Sequence, residues 1–337
     1  MHSWRSDPAD KIDGMNRQLL PLDLDALRHA LLAPAGGYAR VELLAETGST
    51  NADMVANAAS AQWPELSVLV AENQSSGRGR LDREWSTPPG SSIIASVLLR
   101  PGSPAGRNAA GQAGNPAEQD AIALPQESYS WISLLAAMAL ADALESAAGL
   151  GAELKWPNDV LVGGRKVAGI LAQLVPAALG GASGSPSGTG PANPARPAVV
   201  VGTGVNVGQS HAELPVPTAT SLAEEGAATL DRNVLLPAYL NRFARLYQGF
   251  RAAGGDAQRP LENGLSLLQL VSARMVTLGS DVRAELPGGI TLQGQAVGLD
   301  AHGALLVADS AGTTHVVSAG DVVHLRRHEA QGPGAYA

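Results

Sequence analysis

The stretch whose reading decides the fold runs from Ala152 to Val175, AELKWPNDVLVGGRKVAGILAQLV. Two apolar runs, AELKWPNDVLV and KVAGILAQLV, are joined through Gly163-Gly164, a dipeptide suited to the positive φ angles of a tight hairpin. Pro157 fixes a turn after a buried strand and holds Asn158 and Asp159 at that turn, while Lys166 lies just past the hairpin tip. An amide, a carboxylate and an ammonium are thereby displayed close together. Asn-Asp is also ordinary turn chemistry, and Trp156 belongs to a type more often found in cores than on ligands. These residues alone leave a structural and a chemical reading side by side.

Working outward, AVVVGTGVNVG from Ala198 supplies another buried strand. Upstream, ARVELLAETGST (39–50) reads as a strand running into a turn, LSVLVAE (66–72) as a continuous apolar strand, and SSIIASVLLRP (91–101) as a strand ended by proline. STNADMVANAA begins a helix with Ser49, Thr50 or Asn51 as its cap. YSWISLLAAMALADALESAAG places Trp131, Leu134, Leu135, Met138, Ala141 and Leu144 at helical spacing and stops at Gly149. DRNVLLPAYLNRFARLYQGF carries an apolar stripe from Leu236 to Phe250 behind an Asp231 cap, despite Pro237. From about Ser272 only short strands with Gly and Asp turns follow, the pattern of a small antiparallel barrel.

The predicted fold class is therefore α+β: a mixed β-sheet domain with packed helices, then a small all-β barrel. Expected boundaries are an N-terminal extension at 1–38 with one short helix, a mixed-sheet domain at 39–271, a barrel at 272–328 and a tail at 329–337. Within the larger domain, 101–118 and 177–197 are rich in Gly, Ala, Pro and Ser and read as low-complexity loop insertions.

Bulk composition removes several function classes. None of the 337 residues is cysteine, which excludes disulfides, thiolate zinc sites and cysteine nucleophiles. The net charge of -8 argues against a general nucleic-acid surface, so any positive site must be local. No apolar run approaches the ~20 residues of a membrane span, and the start MHSWRSDPADKIDG lacks a signal core, so no membrane is expected and the cytoplasm is the default location. His324 and His328 stand four apart in a strand-rich region without carboxylate partners, and no metal site is predicted there.

Against that acidic background, GRGRLDREW (77–85) concentrates three arginines on a glycine-rich stretch just before a strand. Glycines let backbone amides approach a ligand, and the planar guanidinium suits phosphate or carboxylate. A solvated loop paired to Asp82 and Glu84 is the alternative that this motif alone leaves open. No Gly-Lys-Ser/Thr follows, so it is not a Walker loop, and GTGVNVG lacks the third glycine of the dinucleotide pattern.

Taken jointly, STN (49–51), GRGRLDREW, KWPNDVLVGGRKVAGIL and GTGVN, in this order and followed by a small β-barrel, resemble the biotin protein ligases over about residues 40–327. The resemblance implies a class II synthetase-like catalytic sheet, shared with lipoate ligases, and an SH3-like C-terminal barrel. It implies ATP-dependent activation of biotin to biotinyl-5'-adenylate, with Mg²⁺, and transfer to one lysine of the biotin carboxyl carrier domain of acetyl-CoA carboxylase or a related acyl-CoA carboxylase. A carboxylate attacking an α-phosphate brings two anions together, so fixed positive charge and in-line positioning matter more than a protein nucleophile.

Carried over by motif, Ser49, Thr50, Asn51 and Gln74 would hold biotin, the first two and Gln74 at its ureido ring. Arg78 and Gly79 would form the loop over the ligand. Arg80 and Lys166 would act on the biotin carboxylate and α-phosphate, while Gly169 and Gly202 would let backbone close on biotin. Arg83 would face the phosphates, Trp85 would stack on adenine, and Asn158 and Asn206 would lie near the nucleotide. Asp159 is assigned to the transfer step, orienting or deprotonating the acceptor lysine. Arg80, Lys166 and Asp159 form the catalytic set.

Two departures stand out: the two low-complexity loops, longer than the family needs, and Leu81-Asp82, which lowers the positive charge of the arginine stretch. The N-terminal region is too short and too sparsely helical for the DNA-binding domain of repressor relatives, so a ligase without repressor function, and no nucleic-acid partner, are expected. A homodimer is compatible with the sequence. The alternatives are a lipoate or octanoate ligase of related fold and a non-enzymatic biotin-responsive regulator. Octanoyltransferases need the cysteine this chain lacks.

Overall fold

The structure is a computed structural model that describes residues 19–80, 83–102, 123–176, 197–286, 290–318 and 321–324. Expectations for 1–18, Leu81-Asp82, nearly all of both low-complexity loops, His328 and the tail lie outside the described residues.

Helix α1 (Leu24–Leu31) starts at Asp23, whose carboxylate accepts the Asp25 and Ala26 N–H groups. Strand β1 (Arg40–Leu44) leads to α2 (Thr50–Asn57), capped by Ser49, and then to β2 (Ser67–Ala71). The arginine stretch folds as a miniature ladder, β3 (Gly77–Arg78) against β4 (Glu84–Trp85). After β5 (Ser92–Leu99) comes α3 (Trp131–Ala148), ended by Gly149 in the left-handed conformation at φ 69°. Strands β6 (Ala152–Lys155), β7 (Asp159–Val162) and β8 (Arg165–Val175) follow. Gly163 and Gly164 form the expected hairpin turn at φ 57° and 74°. Strand β9 (Ala198–Asn206) completes the set, and α4 (Arg232–Ala252) is capped by Asp231.

The seven main strands lie in the order β1-β2-β5-β9-β8-β7-β6. β1 and β2 run parallel, and the other neighbours pair antiparallel, which makes the sheet mixed. Side chains alternate across it. Odd-numbered positions of β5 and β9 (Ile93, Ala95, Val97, Val199, Val201, Val205) join the large core beneath α3 and α4. Even-numbered positions Leu98, Ala198 and Val200 join a smaller core with Met54, Ala58, Trp63 and Leu69, under α2. The opposite face is thus fully roofed by helices, whereas this face is roofed at one end.

One expectation is corrected. Gln126–Ala148 is, by length and composition, apolar enough to cross a membrane, yet 72% of its most apolar window is buried inside the fold. Ser133, Asp142, Glu145 and Ser146 interrupt the apolar run while leaving the average hydropathy high. It is the central core helix.

Strands β10 (Pro260–Glu262) and β11 (Leu265–Ser266) and helix α5 (Leu267–Arg274) link the two units. Sequence periodicity misses α5 because it has two turns only; its signal is the Ser266–Gln269 capping box. The C-terminal strands β12 (Asp281–Leu286), β13 (Ile290–Leu299), β14 (Leu305–Ala308), β15 (Thr314–Val317) and β16 (Asp321–His324) form an antiparallel, SH3-like sheet in the order β15-β14-β13-β12-β16. One of its turns docks on the start of α3 and on Trp156, just past β6. Trp131 Nε1 donates to the Ala301 carbonyl at 2.8 Å, Trp156 Nε1 to that of Gly303 at 3.0 Å, and the Ser130 hydroxyl to that of His302.

Candidate active site

Past Val200, the same face of β9 carries Gly202 and Gly204. Gly202 lies between Ser96 of β5 and Leu171 of β8; Gly204 lies between Ile94 and Gly169, and Gly169 is paired in turn with Asp159. Three glycines therefore share one patch of the sheet. A Cβ on Gly202 would collide with the Asn51 amide, and one on Gly204 with the Trp85 indole. On Gly169 it would meet the Lys166 ammonium at 3.5 Å and the Trp85 ring at 3.6 Å. The bare backbone forms a floor, and the groups above it are those the motifs singled out.

One wall is the first turn of α2. The Thr50 N–H donates to Gln74 Oε1 at 2.9 Å, and the Ser96 hydroxyl lies 2.8 Å from Thr50 Oγ1 and 2.6 Å from Asn51 Oδ1. Each hydroxyl has one proton. Because Asn51 Oδ1 can only accept, Ser96 donates to it, while the one proton of the Thr50 hydroxyl is shared between Ser96 Oγ and Gln74 Oε1, the latter at 3.3 Å. Asn51 Nδ2 donates to the Leu171 carbonyl at 3.2 Å, fixing the amide's orientation. Ser49 accepts the Ala52 N–H as the helix cap.

The second wall is the arginine loop. Its turn is held by Gly79 N–H on the Arg83 carbonyl at 2.7 Å and by Arg83 N–H on that of Arg80 at 3.2 Å. Arg78 and Arg83 are exposed, and Arg80 is half-buried. Arg80, Gly79, Asn158, Leu171 and His302 line a cavity of about 740 Å³ that reaches the C-terminal sheet. Trp85 leans back over the floor, its Nε1 buried without a hydrogen-bond partner.

At the rim, Lys166 Nζ and Asp159 Oδ1 form an ion pair at 2.5 Å. The Lys166 backbone is stitched to the segment beyond β9, donating to the Thr218 carbonyl and accepting from Thr220 N–H, both at 2.8 Å. Asn158 holds β8 twice, through its side chain on the Ile170 carbonyl at 2.8 Å and its own carbonyl under the Ile170 N–H at 2.9 Å. Asn206 is buried, donates to the Thr220 carbonyl at 2.9 Å and accepts from Gln209 at 3.3 Å.

Apart from Arg78, Gly79, Arg80 and Arg83, which make the arginine loop, the predicted residues fall into three sets. Thr50, Asn51, Gln74 and Gly202 meet at one end of the floor, and Gly169, Lys166, Asp159 and Trp85 at the other. Ser49, Asn158 and Asn206 use their polar side-chain atoms to hold backbone or neighbouring side chains. Sequence reading missed Ser96 and Gly204. The signal for Ser96 was a hydroxyl inside an eight-residue strand that is buried throughout, where a polar atom must find partners. Among the described residues no group of three or more His, Asp or Glu could hold a metal ion.

The chain is similar to known proteins along most of its length. Residues 44–181 match the Biotin/lipoate A/B protein ligase family and residues 277–325 the Biotin protein ligase C terminal domain. A biotin–[acetyl-CoA-carboxylase] ligase of Mycobacterium tuberculosis is 38% identical over 310 residues, covering 91% of this chain and 97% of that protein. One of Paracoccus denitrificans is 34% identical, covering 83% and 98%. The fold matches a biotin protein ligase from Aquifex aeolicus, solved in complex with biotin and ATP, at a TM-score of 0.59 and 23% identity over 86% of this chain and all of that one. Two domain matches in the expected order, with relatives aligned almost end to end, make this chain a member of the biotin protein ligase family.

Proposed function

We propose that this chain joins biotin to ATP as biotinyl-5'-adenylate and transfers the biotin to one lysine of the biotin carboxyl carrier domain of an acyl-CoA carboxylase, in the cytoplasm. The observation that carries the reading is the glycine floor at Gly169, Gly202 and Gly204, with hydrogen-bonding groups at one end and the Lys166–Asp159 pair at the other. A compact bicyclic ligand with a ureido group and an acidic tail matches that polarity: amides and hydroxyls for the ring, cations for the carboxylate.

In the first step the biotin carboxylate oxygen bonds to the α-phosphorus and the bond to the bridging oxygen of pyrophosphate breaks. Lys166 and Arg80 would offset the repulsion between the two anions, and water exclusion by the arginine loop would strengthen that effect. Arg78 and Gly79 would cover the ligand and Arg83 would face the phosphates. Trp85 is proposed to leave the floor and stack on adenine, which would give its indole edge new partners. Asn158 and Asn206 would border the nucleotide by shaping backbone. In the second step the acceptor amine attacks the mixed anhydride carbonyl, an amide forms and AMP leaves. Asp159, within reach of Lys166, would orient the amine or take its proton.

Mg²⁺ commonly binds through one or two carboxylates plus substrate phosphates. Asp159 is one such carboxylate at the rim, paired with Lys166, and would help hold the ion only together with the phosphates of bound ATP; no step is routed through the ion.

Purified protein given biotin, ATP and Mg²⁺ is expected to label a carrier domain at one lysine, read by intact mass. Arg80→Ala and Lys166→Ala should each lower adenylate formation by about 100-fold or more. Unchanged labelling in both would overturn the site assignment, and adenylation of lipoate in preference to biotin would overturn the substrate.

A further inference from the structure

The arginine loop leaves the large sheet after β2 and re-enters it at β5, so its feet are Glu72 and Ser92. The neck between them is closed by Gly90 N–H on the Glu72 carbonyl at 3.0 Å. Directly under the neck lies Arg232, the first residue of α4, only 1% exposed. Its NH1 donates to Glu72 Oε2 at 2.6 Å and to the Ser92 carbonyl at 3.2 Å; its NH2 donates to the Leu20 carbonyl at 2.9 Å. The other Glu72 oxygen accepts the Leu22 N–H at 2.5 Å. One guanidinium and one carboxylate thus tie the outgoing foot, the returning foot and the segment entering α1.

A buried ion pair is rarely the most stabilising filling for such a space, since apolar packing often does as well. What a guanidinium adds is direction: planar donors at fixed angles that hold several acceptors in one geometry. Here those acceptors belong to the two feet, and the consequence is local. Gln74, two residues beyond Glu72, meets Thr50; Ser96, four beyond Ser92, meets Thr50 and Asn51. A change in the spacing of the feet would therefore move the loop and the biotin wall together.

We propose that Arg232, with Glu72, is a positioning residue that sets the neck of the arginine loop and so the geometry of the ligand site. The clamp is read from the structure alone; its catalytic consequence rests on the function proposed above. Because removing one charge would strand the other, the test uses the paired variant Glu72→Gln/Arg232→Met, with Arg232→Lys as the conservative change. Limited trypsin digestion of the full chain without ligand compares cutting after Arg78 and Arg80, in the loop, with cutting after Arg245, inside α4, which reports global unfolding. The paired variant should raise the loop-to-helix ratio by about tenfold and the KM for biotin by a similar factor, with a smaller change in kcat, and Arg232→Lys should fall between it and the native chain. An unchanged cutting ratio in the paired variant would overturn the clamp. A raised ratio with an unchanged biotin KM would overturn the positioning role. A native chain that fails to activate biotin would sink the proposed function, while the cutting ratio would still decide the clamp.

Discussion

Val200 and Gly202 are two residues apart on β9, project to the same face of one sheet, and belong to opposite kinds of surface. At Val200 the face is closed: Met54, Ala58, Trp63, Leu69 and Leu98 pack there into a small dry core. At Gly202 and Gly204 it is open backbone, walled by amides, hydroxyls and an indole. Helix α2 serves both, sending Met54 and Ala58 into the core and Thr50 and Asn51 to the site. The difference is one of filling: the site is the unfilled end of a packed layer. Its floor is central sheet backbone and its first wall begins a helix already anchored by apolar contacts two turns on.

The contrast breaks most sharply if the open end is filled. Gly202→Val would drive a branched side chain into the Asn51 amide, itself held by Ser96 and the Leu171 carbonyl. Adenylate formation should fall by about 100-fold or more, with about 1–3 kcal/mol of stability lost to overpacking. Val200→Ala should do the reverse, with roughly 2 kcal/mol lost to a cavity and the KM for biotin unchanged well below the melting temperature. Paired thermal melts and kinetics check both. If Val200→Ala proved the more harmful to the KM, the two ends would not be separable.

Ser96→Ala probes the seam between the ends. It removes the donor to Asn51 Oδ1 and one of the two oxygens within reach of the Thr50 hydroxyl, leaving the buried amide oxygen short of a partner. About 1–3 kcal/mol of stability should be lost, and the KM for biotin should rise about tenfold with kcat nearly constant. A fall in kcat at constant KM would show that the triad touches the reacting atoms instead of the bound ring.

Most of this architecture was legible in the sequence because its signals are local. The hairpin at Gly163-Gly164 follows from φ preference, α3 from apolar spacing and its glycine stop, and β2 and β5 from unbroken apolar runs between turns. What escaped depends on register. Nothing in SSIIASVLLRP says that Ser96 faces Gly202, because that requires the pairing of β5 with β9 across more than a hundred residues. Gly204 escaped for the same reason, since its bareness matters only once Gly169 is opposite. The motif reading chose Asn206 for the nucleotide; what the motif does not show is that its buried amide also holds Thr220 and Gln209.

The smallest effect belongs to the closed end, where pH should act on packing and leave the site alone. Arg100 reaches under α2 to the Ala58 and Trp63 carbonyls, and its own N–H rests on Glu65, which also takes hydrogen bonds from Tyr247 and Arg251. Burial pushes the Glu65 carboxyl above its ordinary range, and the Arg251 charge only partly offsets this. A carboxyl whose folded pKa is raised holds its proton more tightly in the folded chain. Its contribution is therefore full below the unfolded value of about 4.3 and is lost as pH rises through the folded value. Glu65→Gln, which has no proton to lose, should remove that slope, so native and variant stabilities should diverge with pH only in the window just above about 4.3, by at most about 1.4 kcal/mol per pH unit. Urea titrations across pH 4 to 8 would measure this. The KM for biotin should not follow it, because Glu65 sits beneath the core end of the layer, and a KM that tracked the same window would mean that charge at the closed end is felt at the open one.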